Sequence, residues 1–227
     1  MPLLIKICGL KTPETLEVAL EAGADMVGFV FFGPSPRNLS PKAASALGTQ
    51  VRGRALKVAL TVNATDDLLH DIVDALKPDM LQLHGTETIE RVAVVRSRFG
   101  LPVMKALPIA TRADLSPIRL YAKVADRLLF DARAPQDATR PGGLGKSFDW
   151  TLLQGVNPGV PFMLSGGLDA SNVAEAVRIT GAPGIDVSSG VERVPGEKDP
   201  EKIRAFIRTA RATDTLDLDA SKIVSRA

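Results

Sequence analysis

The chain has 227 residues, a formal net charge of +2 with both histidines neutral, and 45% hydrophobic residues. These values are typical of one large or two small globular domains and exclude a disordered chain. The single cysteine, Cys8, excludes an intrachain disulfide, so we expect a reducing, cytoplasmic compartment. The near balance of charge argues against a nucleic-acid partner, and no apolar run approaches the roughly 20 residues of a membrane span.

Eight short apolar runs predict eight β-strands. They cover residues 3–8, 26–32, 56–62, 80–83, 103–107, 128–130, 162–164 and 185–187. Several are apolar at nearly every position, as expected of strands that are buried on both faces of a parallel sheet.

Helical signals separate these runs. Thr12 and Ser40 each precede a proline, which is the pattern of an N-cap followed by the first helical residue. Asp66 opens an amphipathic stretch, and Pro117 interrupts a weaker one at residues 112–124. Further helices are predicted at residues 87–98, 171–180 and 200–211, and another begins at residues 148–150.

The alternation of strands and helices predicts an α/β fold, a single (β/α)8 TIM barrel over residues 1–212. An open doubly wound sheet uses the same units, but eight repeats in this length favour the closed barrel. Residues 213–227 then form a C-terminal tail, which either docks or is disordered. The apolar residues available for docking are Leu216, Leu218, Ile223 and Val224.

In this fold, active sites lie at the carboxyl ends of the strands, and the loops after strands 7 and 8 commonly bind phosphate. Those loops hold two glycine-rich turns, formed by Ser165, Gly166 and Gly167 and by Ser188, Ser189 and Gly190. Glycines let backbone N–H groups approach an anion closely, and serine hydroxyls add donors. Two ordinary tight turns are the alternative, but their joint position predicts a phosphate site.

A thiol and a carboxyl group stand at other strand ends. Strand alternation puts Lys6 and Cys8 on one face, which points into a barrel. A Cys8 thiolate there can remove a proton from carbon, although a buried core cysteine is the commoner interpretation. Asp131 ends strand 6 and can act as a general acid at an apolar mouth. Its alternatives are an N-cap or a salt bridge with Arg133.

Other polar residues fill out the predicted pocket. Arg37 matches a carboxylate through its planar fork, or is simply a solvated loop arginine. His84 is a polar wall or, as we favour, a structural histidine, because the sequence shows no obvious partner for it. Also expected there are Gln82, Asp186 and, on a loop over the site, Gly143 and Gly145. No HxH, HExxH or acidic cluster appears, so we expect no metal.

An ordered set of motifs resembles the phosphoribosylanthranilate isomerase family. The motifs are KICGL at residues 6–10, GFVFFGPSPRNLS at 28–40, LQLHG at 81–85, FDA at 130–132, GGLGKSFDW at 142–150, LSGGLDASNVAEA at 164–176 and GIDVSSGVERVPGEKD at 184–199. The resemblance covers residues 3–212. The ordered set is specific, whereas KICG or SGGL alone would not be.

The resemblance implies a cofactor-free Amadori rearrangement in L-tryptophan biosynthesis, an aldose–ketose isomerisation. N-(5-phosphoribosyl)anthranilate becomes 1-(o-carboxyphenylamino)-1-deoxyribulose 5-phosphate. By motif position, Asp131 is the general acid, Cys8 the general base and Arg37 the carboxylate ligand. The phosphate is held around Gly166, Gly167, Ser188, Ser189 and Gly190. The implied partner is this small phosphosugar, and the protein is a monomer or homodimer.

Three alternatives remain at this point. A histidine-pathway aminoaldose isomerase, or a dual-substrate version, resembles a two-aspartate design, whereas Cys8 stands at one of those positions here. A noncatalytic phosphate-ligand sensor would not need both Cys8 and Asp131. A thiol-redox enzyme would need a resolving cysteine, which this chain does not have.

Overall fold

Eight parallel strands close into a barrel, and β8 pairs back onto β1. The computed structural model describes residues 2–224, with side chains as far as residue 213. The strands are β1 Leu4–Cys8, β2 Met26–Phe31, β3 Leu56–Thr61, β4 Met80–Leu83, β5 Val103–Ile109, β6 Arg127–Ala132, β7 Phe162–Leu164 and β8 Gly184–Val187. The eight predicted strands and the closed barrel are confirmed, and the open sheet is wrong.

The helices are α1 Pro13–Glu21, α2 Pro41–Val51, α3 Asp66–Leu76, α4 Ile89–Phe99, α5 Ile118–Tyr121, α6 Val173–Thr180 and α7 Pro200–Val224. Helices α1 and α2 start where the cap chemistry predicts. The Thr12 hydroxyl accepts the N–H of Thr15 at 3.3 Å, and the Ser40 hydroxyl accepts that of Ala43 at 3.2 Å. A proline follows each cap, where its missing N–H leaves no helical hydrogen bond unmade.

Two predicted helices and the tail differ from expectation. The helix predicted to begin at residues 148–150 is a short 3₁₀ helix, Trp150–Leu153. The stretch at residues 112–124 divides into a 3₁₀ helix, Arg112–Leu115, and the four-residue α5, because Pro117 between them has no N–H to donate. Helix α7 continues past residue 213 to Val224. The expected docking of Leu216, Leu218, Ile223 and Val224 lies outside the described side chains, and residues 225–227 lie outside the described chain.

A short antiparallel hairpin that the sequence did not predict follows β8. Its strands are β9 Glu192–Val194 and β10 Glu197–Lys198. Glu192 and Lys198 are only 6% and 4% exposed. The hairpin therefore brings two buried charges to the end of the barrel at which β8 finishes.

The inward-facing side chains form two layers that differ in polarity. The lower layer is apolar and consists of Met26, Val58, Met80, Met104, Ala106, Leu129 and Met163. Two residues further along several strands, the upper layer is polar and consists of Lys6, Gln82, Asp131, Ser165 and Asp186, all buried. The upper layer lies toward the carboxyl ends of the strands, where this fold places its active sites.

Candidate active site

One cavity at the carboxyl ends of the strands collects most of the predicted site residues. The predicted residues that line it are Cys8, Arg37, His84, Asp131, Gly143, Gly145, Gly166, Gly167, Asp186, Ser188 and Ser189. Three others, Lys6, Gln82 and Gly190, are not part of its wall. Apolar side chains of β2, β3 and the loops after them also line it: Val30, Phe32, Leu60 and Val62.

Beneath the Cys8 thiol lies a buried ion pair. The Lys6 ammonium donates to Asp186 Oδ1 at 2.8 Å, and the two side chains are 0% and 4% exposed. Burial raises the pKa of Cys8 above its ordinary value of 9.0, Lys6 opposes that shift, and Asp186 adds to it. Burial also acts to lower the pKa of Lys6, but Asp186 and Cys8 outweigh it and raise that pKa. Lys6 is therefore a cation held beside a thiol that becomes a strong base once it is deprotonated.

The Asp131 carboxyl group is held by a row of polar groups from β4. Gln82 Nε2 lies 3.0 Å from His84 Nδ1, and His84 Nε2 lies 3.1 Å from Asp131 Oδ2. The N–H of Ala132 donates to Asp131 Oδ1 at 2.9 Å. The expectation that His84 lacks a partner is therefore wrong.

The alternatives for Asp131 also fail on geometry. Arg133 forms its ion pair with Asp114 and not with Asp131. Asp131 is an internal residue of β6 that faces the cavity, so it does not cap a helix. Its carboxyl group is oriented toward the cavity by His84 from one side and by backbone from the other.

A second buried ion pair supports the turn that carries His84. The Lys105 ammonium donates to Glu87 Oε2 at 2.8 Å and to the carbonyl of Gly85 at 2.7 Å. Glu87 Oε1 accepts the N–H of Asn63 at 2.8 Å. Burial lowers the pKa of Lys105, and Glu87 opposes the shift. This framework fixes the residues after β4 and, through them, the imidazole that contacts Asp131.

Arg37 is 3% exposed, so the solvated-loop alternative is wrong. Its Nε and Nη2 donate to Glu192 Oε1 and Oε2 at 2.8 and 2.7 Å, and Nη2 also donates to the Gly143 carbonyl at 3.1 Å. The side chain crosses Gly9, whose φ is +82° and where a Cβ would lie 2.5 Å from Arg37 Cδ. Only glycine satisfies both the left-handed backbone and this close approach.

Sequence reasoning missed Glu192 and Lys198. Both follow β8 in the hairpin and lie beyond the strand-end positions from which the site was predicted. Their buried contacts are with Arg37 and Ser188, which are distant in sequence or in another turn. The sequence indication of their burial was limited to a pair of opposite charges, Glu192 and Lys198, inside the GVERVPGEKD motif. The composition of that motif alone is typical of an exposed turn.

The two glycine-rich turns after β7 and β8 pack directly on each other. A Cβ at Gly190 would lie 1.9 Å from the carbonyl oxygen of Leu168, so this approach requires glycine. The Ser188 hydroxyl donates to the carbonyl of Cys8 at 3.2 Å, which ties the turn after β8 to the end of β1. In proteins generally, successive backbone N–H groups in turns of this kind can bind an anion.

The cavity thus combines a thiol, a carboxyl group, a guanidinium group and two glycine-rich turns. Within the described side chains, no group of three His, Cys, Asp or Glu residues is arranged to hold a metal ion. No helix of residues 2–224 is long and apolar enough to cross a membrane. The arrangement can transfer one proton to a bound ligand and remove another, while charged ends of that ligand are held apart.

Comparisons with known proteins agree with this chemistry. The family model described as N-(5'phosphoribosyl)anthranilate (PRA) isomerase matches residues 5–209. A relative from Bradyrhizobium diazoefficiens, named N-(5'-phosphoribosyl)anthranilate isomerase, is 64% identical and covers 99% of both chains. The phosphoribosyl anthranilate isomerase of Thermotoga maritima superposes with a TM-score of 0.84 at 33% identity, over 92% of this chain and 99% of that one.

A further solved structure shows such an enzyme with a ligand. It is a phosphoribosyl anthranilate isomerase in complex with reduced 1-(o-carboxyphenylamino)-1-deoxyribulose 5-phosphate, and it superposes with a TM-score of 0.79 at 31% identity, over 92% of this chain and 99% of that one. A family match over most of the chain and close relatives of equal length leave one conclusion. The chain belongs to the N-(5'-phosphoribosyl)anthranilate isomerase family and acts as a phosphoribosylanthranilate isomerase in tryptophan biosynthesis.

Proposed function

We propose that the isomerisation is a cofactor-independent Amadori rearrangement in which Asp131 is the general acid and Cys8 the general base. The observation that carries this proposal is that the thiol and the carboxyl group line one cavity with Arg37 and both glycine-rich turns. The substrate, N-(5-phosphoribosyl)anthranilate, has a phosphate at one end and a carboxylate at the other, with the reacting carbons between them. One cavity therefore offers a partner for each part of the substrate.

Ring opening is the acid-catalysed step. Asp131 donates a proton to the ring oxygen of the ribose as the bond from that oxygen to C1′ breaks. The lone pair of the anilino nitrogen forms the C=N bond of a protonated Schiff base. His84 and the Ala132 N–H hold the carboxyl group in one orientation. A fixed donor favours this step, because proton transfer requires hydrogen-bond geometry first.

Proton removal from C2′ is the base-catalysed step. The Cys8 thiolate takes the proton, the C–H electron pair forms the C1′–C2′ double bond, and the C=N pair returns to nitrogen. The resulting enolamine gains a proton at C1′ and loses one from the C2′ hydroxyl, which gives the ketone. Lys6 lowers the pKa of Cys8 against the larger effect of burial and so favours the thiolate that this step needs.

The two anionic ends place C1′ and C2′ against these groups. Arg37 holds the anthranilate carboxylate, and the phosphate lies against Gly166, Gly167, Ser188 and Ser189, which line the cavity, while Gly190 packs the second turn behind them. The relative described above binds a reduced product with the same two charged ends, which supports this assignment. Binding energy from both ends is then available to orient the reacting carbons.

The oxidation levels of C1′ and C2′ explain why the reaction needs no cofactor. C1′ is reduced from the aldehyde level to an amine carbon, and C2′ is oxidised from an alcohol to a ketone. The reaction is therefore an intramolecular oxidoreduction with no external electron acceptor. We place it in the cytoplasm, because an unpaired thiol acting as a base suits a reducing compartment.

The test is turnover by the purified protein after dialysis against a chelator. We expect the fluorescence of phosphoribosylanthranilate to fall as the enzyme consumes it, without added metal or nucleotide. We expect the enzyme not to convert the histidine-pathway aminoaldose. Activity that returned only with a metal or cofactor would contradict cofactor independence. Near-full turnover by Cys8→Ala would show that the base is another group.

A further inference from the structure

Two buried cations share one buried carboxylate beside the cavity: Arg37 lines the cavity, whereas Glu192 and Lys198 lie behind its wall. Glu192 Oε1 accepts from Arg37 Nε at 2.8 Å and from Lys198 Nζ at 2.7 Å, while Oε2 accepts from Arg37 Nη2 at 2.7 Å. The three residues are between 3% and 6% exposed. We call this set the charge triad. With two cations and one carboxylate it carries a formal charge of +1, which favours an anion in the adjoining cavity.

Contacts of the charge triad reach both predicted anion-binding ends and the base. Lys198 Nζ donates to the Ser188 carbonyl at 2.8 Å, and the Ser188 hydroxyl donates to the Cys8 carbonyl at 3.2 Å. Arg37 reaches the loop over the site through the Gly143 carbonyl. A continuous row of polar contacts thus joins the carboxylate-binding arginine, the turn after β8 and the end of β1.

Glu192 decides which nitrogen of Arg37 is left for the substrate. It takes Nε and Nη2, so Nη1 is the remaining nitrogen. Nη1 lies along Gly143, where a Cβ would come within 2.5 Å of it, and Arg37 lines the cavity. A fork-to-fork contact fixes the plane of the guanidinium as well as its position.

Stability does not explain this arrangement. Desolvating three charges is costly, and apolar residues of similar volume often serve a buried site as well or better. A glycine at position 9 is also required so that the arginine can cross the β1 turn. The triad is therefore better explained by what it holds in place.

We propose that Glu192 and Lys198 are positioning residues of the isomerase: Glu192 sets the orientation in which Arg37 meets the substrate carboxylate, and Lys198 ties that ion pair to the Ser188 turn. The inference rests on the proposed role of Arg37 as the carboxylate ligand. Burial lowers the pKa of Lys198 to about 8, Glu192 and Cys8 oppose that shift, and Arg37 adds to it. Replacing Glu192 by a neutral residue therefore disturbs both cations.

Two ligands isolate the contribution of the carboxylate. One is reduced 1-(o-carboxyphenylamino)-1-deoxyribulose 5-phosphate, and the other is its counterpart made with aniline, which lacks the carboxylate. For the unaltered enzyme we expect the first to bind roughly 10- to 100-fold more tightly, the range for a hydrogen bond to a charged group. Glu192→Gln should reduce that ratio by about tenfold, and any weakening that it causes through Lys198 should affect both ligands alike, because both carry the phosphate.

Matched variants separate this inference from the role of Arg37. Arg37→Ala should bring the affinities for the two ligands to nearly the same value, and an unchanged ratio in this variant would show that Arg37 does not hold the carboxylate. If Arg37→Ala removes the preference for the carboxylate ligand while Glu192→Gln leaves that preference unchanged, only the positioning inference is overturned. Glu17→Gln makes the same substitution in an exposed ion pair with Arg54 and should change neither affinity.

Two further variants keep the test decisive. If thermal melts show that Glu192→Gln does not fold, Glu192→Asp retains the charge but shortens the side chain, and it should lower the ratio partially; an unchanged ratio would overturn the inference.

Lys198→Gln should weaken competitive inhibition by inorganic phosphate by about threefold or more, because one hydrogen bond to the Ser188 turn is lost. Unaltered phosphate inhibition would overturn the part assigned to Lys198.

Discussion

The two layers inside the barrel come from the same strands and are both buried, but one is apolar and the other is polar. In β6, Leu129 belongs to the lower layer, and Asp131, two residues later, belongs to the upper one. In β4 the same step leads from Met80 to Gln82. A two-residue step keeps a side chain on the same face and moves it toward the cavity. The lower layer is close-packed and apolar and stabilises the fold, whereas the upper layer buries polar groups at a cost and includes the proposed general acid, Asp131.

This contrast explains why buried charge is concentrated at one end of the barrel. A buried ion pair such as Lys6 with Asp186 is weak evidence for stability, since well-packed apolar side chains often do as well. Removing one partner is nevertheless destabilising, because the other charge is left unpaired. The difference between the layers predicts that upper-layer and cavity variants lose rate, while lower-layer variants lose stability.

The largest expected effect comes from replacing the proposed acid and the proposed base. Cys8→Ser and Asp131→Asn should each lower kcat by about 10² to 10⁴-fold, the usual contribution of a general acid or base. KM should change by only a few-fold, because neither group is assigned to an anionic end of the substrate. Steady-state kinetics and thermal melts check both. A large fall in Tm with little loss of kcat would break the comparison between the layers.

A lower-layer variant should show the opposite profile. Met163 is 0% exposed, and Met163→Ala should cost about 2–5 kcal/mol of unfolding free energy through lost burial and a residual cavity. Its kcat should stay close to that of the parent at temperatures where it remains folded. Urea unfolding and kinetics measure the two quantities. Val94→Ala, at an apolar residue that is 49% exposed, is the control and should change stability by less than about 0.5 kcal/mol.

The His84 contact should have an intermediate effect on rate. His84→Gln removes the imidazole that lies 3.1 Å from Asp131, and we expect kcat to fall about tenfold with KM nearly unchanged, the value of one orienting hydrogen bond. In the Asp131→Asn background the same change should have little further effect, since both act through one carboxyl group. Additive losses would indicate a separate role for His84.

The smallest perturbation is a change of pH, which alters the protonation of Cys8 without a mutation. Because the pKa of the thiol is raised above 9.0, only the minor thiolate form reacts at neutral pH. The rate of alkylation by iodoacetamide should therefore rise about tenfold per pH unit from pH 7 to 9, with no plateau in that range. The chain has a single cysteine, so the reaction reports on Cys8 alone. A plateau below pH 8 would mean that Lys6 outweighs burial.

Much of the fold and part of the site could be predicted from local sequence. Strand positions follow from apolar runs, and helix starts follow from an N-cap and a proline, because both depend on neighbouring residues. The helix predicted at residues 148–150 was wrong, since a short stretch of this kind satisfies a single 3₁₀ turn equally well. The contact of His84 with Asp131 was not predicted for a different reason: Asp131 lies 47 residues away, on β6.

The sequence by itself determined which groups stand at the strand ends: a thiol on β1, a carboxyl group on β6 and glycine-rich turns after β7 and β8. The tertiary structure alone decided their partners. Lys6 pairs with Asp186 across 180 positions, and Arg37 pairs with Glu192 across 155. These contacts depend on the closure of the barrel at β1 and β8 and on the hairpin after β8. Burial and pKa depend on the same packing, because they report the surroundings of a group and not its neighbours in sequence.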